Sequence, residues 1–166
     1  TFSNPEKAHF CSGGAERVNS VLNALSYLGA FAAEEDWVFV HDAARPCVTQ
    51  DCLNRLVNTA IQENCSAILA IPVRDTLKYV AHENAIDKTV SRNHLWQAQT
   101  PQISRLGILK HAIEKALQDG MTITDEASAL EYIGEQVKVV QGRSDNIKIT
   151  YADDLELAKL ILMAQK

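Results

Sequence analysis

The run "FVHDAARPCVTQD", Phe39 to Asp51, sets a carboxylate, Asp42, and a guanidinium, Arg45, three residues apart. Ala43 and Ala44 between them let a ligand approach the backbone, and Pro46 fixes the loop exit. A pair of this kind either ties a loop together or meets a polar ligand. Other residues suggest an anion. Gly13 and Gly14 in "SGGAER" would let backbone N–H groups face an anion at a helix start, although a plain turn uses the same glycines. Thr124 precedes Asp125 and Glu126 at another helix start, where its hydroxyl would cap the helix or join its N–H groups around phosphate. Lys148, in "NIKIT", falls within or just after a strand near the C-terminus. Together these residues suggest nucleotide or sugar-phosphate chemistry, without saying which reaction.

Such groups need rigid elements to place them. Ala8 to Cys11 reads as a short strand, and a helix follows from Glu16, with Val18, Val21, Leu22, Leu25 and Leu28 at helical spacing. Asp36 to His41 is an apolar strand. Thr49 would cap a helix whose inner face carries Leu53, Leu56, Val57 and Ile61, and Ser66 to Ile71 is a second all-apolar strand. Apolar strands alternating with amphipathic helices predict a mainly parallel α/β sheet covered on both faces. Ligands bind beyond the carboxyl ends of such strands, which is where His41 to Pro46 falls.

The stretch after "PVRDT" departs from this pattern. Two extended segments flank a polar turn, Ala81 to Asn84, and predict a projecting hairpin or arm over residues 74–93. An arm that packs little on its own domain usually packs on another chain. Helical spacing returns from Leu106 to Leu117 and ends at Gly120. A short helix should follow Thr124 and run to about Tyr132. "VKVV" and "NIKIT" read as strands, and Thr150 as the cap of a final helix carrying Leu155, Ala158, Ile161 and Leu162.

The 166 residues fit a single domain, 1–166. A net charge of −5 argues against binding nucleic acid through phosphate contacts. Cys11, Cys47, Cys52 and Cys65 form no CxxC pair and no zinc-like cluster, which predicts reduced thiols in a cytoplasmic protein. No apolar run approaches the roughly 20 residues that span a bilayer.

"HDAARP", "PVRDT", "SRNHLWQAQTPQ", "TITDEASALE" and "GRSDNIKIT", in this order, resemble the 2-C-methyl-D-erythritol 4-phosphate cytidylyltransferase family. The resemblance runs from "GGAERVNSV" to the final helix. It implies a Rossmann-like nucleotidyltransferase domain with a β-arm that builds a homodimer. It also implies transfer of a cytidylyl group from CTP to methylerythritol phosphate, with Mg²⁺ held mainly by the CTP phosphates. By motif, Gly14, Arg17, Ser20 and Ala43 fall on the nucleotide side. Asp42, Arg45, Thr100 and Thr124 fall on the side of the acceptor substrate. Thr76 and Arg92 lie on the arm and would reach a partner's site, where Arg92 grips the attacking phosphate. Lys148 would stand near the α-phosphate, so Lys148 and Arg92 are the catalytic candidates.

Two departures accompany the resemblance. The family's "AAGxGxR" loop and "PKQ" motif are not in this sequence, which implies a chain lacking part of its triphosphate site and inactive by itself. Ala15 stands where aspartate often follows the two glycines. Ribitol 5-phosphate cytidylyltransferase is the nearest alternative, but its loop usually reads "HDAVRP", whereas Ala44 stands here. A non-catalytic dimeric ligand-binding module is the alternative from another class.

Overall fold

The computed structural model describes residues 5–165. Its main sheet has four strands in the order β1-β5-β2-β6: β1 (Trp37–Val40), β5 (Trp96–Arg105), β2 (Ser66–Pro72) and β6 (Val137–Gln141). β2 and β6 pair in parallel, while β5 runs antiparallel to both β1 and β2. β1, β2 and β6 therefore share one direction, as the apolar runs predict, and β5 is inserted against them. The sheet is mixed, and β5 brings its amino-terminal half to the edge where the other three strands have their carboxyl ends.

Helices cover both faces. α1 (Arg17–Leu28), α3 (Leu106–Gln118) and α4 (Glu126–Tyr132) pack Val18, Leu25, Leu109, Ile113 and Leu130 around Val38. α2 (Gln50–Glu63) packs Cys52, Leu56 and Ala60 on Ala67, Leu69, Ile103 and Val140. Each large apolar side chain so buried contributes roughly 1.5–3 kcal/mol. Thr49 caps α2, its hydroxyl accepting from Cys52 N at 3.4 Å. The buried face of α2 is rotated from the expected one: Cys52 and Ala60 replace Leu53 and Ile61, and Ile61 is 57 % exposed.

Several expected elements take other forms. Residues 8–11 are not a strand; they form a loop in which Phe10 is exposed and the His9 ring stacks near Phe31. "NIKIT" is not a strand either. Side-chain anchors hold it, with Arg45 Nη1 donating to the Asn146 carbonyl at 2.8 Å and Asn146 Nδ2 to that of Thr100 at 3.0 Å. α4 is capped by Asp125, not Thr124, because the Asp125 carboxylate accepts from Ser128 N at 2.9 Å. At α5 (Ala152–Ala164), the Asp154 carboxylate takes the N–H groups of both Thr150 and Tyr151, so the Thr150 side chain is not the cap. Of the expected inner face of α5, only Ala158 is buried.

The arm forms as expected: β3 (Leu77–Tyr79) and β4 (Lys88–Val90) make a separate two-stranded antiparallel ribbon.

Candidate active site at the carboxyl edge of the sheet

Four segments meet beyond the end of β1: the loop His41–Pro46, the start of α1, the start of α4, and the segment between β6 and α5. Polar side chains from the buried stretch of β5, residues 99–104, join them. Gln99, Thr100 and Gln102 are at most 5 % exposed. Burying such groups is costly unless they are paired, and each is paired with part of this edge. Gln99 Nε2 donates to the Arg143 carbonyl at 2.9 Å. Thr100 Oγ1 accepts from Asp42 N at 3.0 Å. Gln102 Nε2 donates to Asp125 Oδ2, and its Oε1 accepts from Ala127 N, both at 2.9 Å. The chain leaving β6 passes so close to Gln99 that a Cβ on Gly142 would have to displace the buried Gln99 amide.

Asp42 is the hub. Arg17 Nε lies 3.1 Å from its Oδ1; Lys148 Nζ and Arg45 Nε lie 3.3 and 3.9 Å from its Oδ2. Partial burial alone would raise the Asp42 pKa, but Arg17 and Lys148 outweigh it and hold the carboxyl below its ordinary value. Burial pushes Arg45 down from its ordinary value, and Asp42 partly opposes this. The site therefore gathers three cations around one carboxylate, an arrangement suited to phosphate-bearing ligands.

His41 braces the loop. Its Nε2 lies 2.9 Å from the Arg45 carbonyl oxygen, which can only accept, so Nε2 carries the proton. Nδ1, 2.9 Å from Thr100 Oγ1, then accepts the hydroxyl proton. Partial burial lowers the His41 pKa, in keeping with a neutral ring.

Two clefts meet at Asp42 and share Arg17 and Lys148. One, of about 540 Å³, runs between α1 and β1 and is lined by Ser20, Ala43 and an apolar wall that includes Val21 and Phe39. The other, of about 260 Å³, is lined by Arg45, Thr100, Thr124 and Asp125. Ser20 and Ala43 line only the first cleft, Arg45, Thr100 and Thr124 only the second, and Arg17 and Asp42 line both. Thr124, displaced from the cap by Asp125, lines the second. Gly14 supports the first indirectly. Its N–H donates to Ser20 Oγ at 2.9 Å, so it turns inward and not toward an anion. A Cβ on Gly14 would strike Asn19 Cβ at 2.3 Å.

Arg17 lines both clefts. Its charged end is turned onto Asp42 and Glu126, and Glu126 holds it above its ordinary pKa despite the opposing effect of burial. Glu126, 3 % exposed, was not expected at the site, nor were Gln99, Gln102 and Asn146. The available signal was amides within a strand that its neighbours require to be buried. Thr76 and Arg92 are exposed on the arm and line neither cleft.

This fold and this cation-ringed edge define an α/β nucleotidyltransferase. Among solved structures, the Francisella tularensis 2-C-methyl-D-erythritol 4-phosphate cytidylyltransferase (IspD) is similar with a TM-score of 0.89 and 43 % identity, over 97 % of this chain and 75 % of that one. The Thermus thermophilus enzyme of the same name gives a TM-score of 0.84 and 33 % identity, over 94 % of this chain and 74 % of that one. The protein of that name from Acinetobacter baumannii (strain ATCC 17978) is 72 % identical over 165 residues, covering 99 % of this chain and 69 % of the relative. The family model described as "IspD: 2-C-methyl-D-erythritol 4-phosphate cytidylyltransferase" matches residues 1–164. The chain belongs to the 2-C-methyl-D-erythritol 4-phosphate cytidylyltransferase family.

Proposed function

We propose that this protein transfers the cytidylyl group of CTP to 2-C-methyl-D-erythritol 4-phosphate in isoprenoid precursor biosynthesis, releasing pyrophosphate. The observation that carries this reading is the meeting of two clefts at Asp42, with Arg17, Arg45 and Lys148 around it. CTP occupies the cleft between α1 and β1, beside Ser20 and Ala43. The acceptor occupies the smaller cleft, where Asp42 accepts from its hydroxyls and Arg45, Thr100 and Thr124 hold the rest.

The acceptor phosphate is already ionised near neutral pH, since its second pKa is about 6, so no general base is needed. Its oxygen attacks the α-phosphorus of CTP, the new P–O bond forms as the bond to the β-phosphate oxygen breaks, and pyrophosphate leaves. Lys148 balances the charge that gathers at the α-phosphate.

Among the described residues, no group of three or more His, Cys, Asp or Glu could hold a metal ion. One carboxylate ringed by Arg17, Arg45 and Lys148 does not fit a protein-held divalent cation. Mg²⁺ belongs on the CTP phosphates.

The exposed arm carries Thr76 and Arg92 to a second copy of the chain, so that each active site is shared in a homodimer. Four free cysteines fit the reducing cytoplasm. Among the described residues, no helix is long and apolar enough to cross a membrane. The test of the reaction is an assay of the native protein with CTP and either methylerythritol phosphate or ribitol 5-phosphate. Preference for the first supports the reading, and preference for ribitol phosphate overturns it.

A further inference from the structure

We propose that Glu126 is a positioning residue for cytidylyl transfer: acting through Arg17, it keeps one oxygen of Asp42 open to the acceptor. The proposal rests on the reading of Asp42 as an acceptor-side group. Glu126 Oε1 accepts from Arg17 Nη1 at 2.7 Å, and Oε2 from Nη2 at 3.0 Å. Only Nε of Arg17 then reaches Asp42, and it reaches Oδ1 alone, at 3.1 Å. A guanidinium favours two parallel hydrogen bonds to one carboxylate. Two carboxylates compete here for one arginine, and Glu126 takes the paired donors. Without Glu126, Arg17 would turn those donors onto Asp42 and occupy both oxygens. With it, Oδ2 meets only Lys148 and Arg45, the two cations that the substrates themselves would engage.

The placement of Glu126 is fixed from both sides. Asp125 and Ala127, its neighbours in sequence, are both hydrogen-bonded to the Gln102 side chain of β5. The same strand supplies Thr100 to the backbone N–H of Asp42. β5 therefore sets the distance between the two carboxylates that Arg17 bridges.

In the native protein, Glu126→Gln keeps the shape but loses the charge that claims Arg17. The expected result is a fall in kcat/KM for the acceptor of roughly 10- to 100-fold, the equivalent of losing a charged hydrogen bond, with the KM for CTP close to wild type. Combined with Asp42→Asn, it should cost little more than Asp42→Asn alone, because Glu126 acts through Asp42. Arg17→Lys provides the same test if Glu126→Gln does not fold. Lysine keeps the charge but cannot serve both carboxylates, and the same acceptor-selective, non-additive loss is expected. Equal losses for both substrates, or costs that add to that of Asp42→Asn, would reduce Glu126 to a structural support and overturn the proposal. An active wild type whose Glu126→Gln and Arg17→Lys variants keep wild-type acceptor kinetics overturns this inference alone. A wild type without cytidylyl transfer overturns the functional reading and this inference with it.

Discussion

The Lys148 ammonium lies 3.3 Å from Oδ2 of Asp42, joining the segment before α5 to the loop that ends β1. The lysine side chain is half exposed and that of the aspartate 13 % exposed. An ion pair this open to water is worth little, about 0–1 kcal/mol. A triphosphate bearing several charges can therefore take the ammonium from Asp42 at small cost. Asp42 then becomes free to accept from a substrate hydroxyl as Lys148 turns to the nucleotide.

Lys148→Ala should separate catalysis from folding. Loss of one preorganised charge facing the transition state lowers kcat by roughly 10²–10³-fold. The half-exposed site predicts a thermal midpoint within about 2 °C of wild type. Near-normal turnover would remove Lys148 from the chemistry.

The arm makes a different prediction. Arg92→Ala subunits mixed with Lys148→Ala subunits should recover activity above that of either variant alone, since one site of each heterodimer would hold both residues intact. Turnover in the mixture that never rises above the separate variants would argue against a shared site.

His41 predicts a pH dependence. Its ring is neutral in the folded chain, and partial burial holds its pKa below 6.5. A group with a lowered folded pKa contributes stability that is full above its unfolded value, here 6.5, and is lost as pH falls through the folded value. Protonated Nδ1 would also confront Thr100 Oγ1, which already accepts from Asp42 N. Between pH 7 and pH 5, wild type should therefore lose more thermal stability than His41→Gln, as followed by thermal unfolding at each pH. Equal losses would show that His41 does not brace the loop in this way.

Much of this site was legible in the sequence because strand ends and small residues leave strong local marks. Asp42, Arg45, Thr100 and Thr124, each marked by its motif, line one cleft, and the hairpin was visible in its broken apolar pattern. β5 was not legible: "QTPQ" carries polar residues into a buried strand, and only the tertiary pairing of Gln99 and Gln102 shows why they belong there. For the same reason "NIKIT" looked like a strand, since alternation cannot reveal that Asn146 anchors the segment by side-chain bonds. Arg17 and Glu126 are 109 residues apart, and no local pattern reports that they meet.

The most direct measurement of the central claim is the product formed when the native protein is given CTP and methylerythritol phosphate, followed by mass spectrometry and by pyrophosphate release. The expected result is a cytidine-diphosphate adduct of the methylerythritol, with one pyrophosphate released per adduct. Ribitol 5-phosphate in its place should turn over far more slowly. No adduct, or a faster reaction with ribitol 5-phosphate, would contradict the assignment of the cleft beside Asp42 to this acceptor.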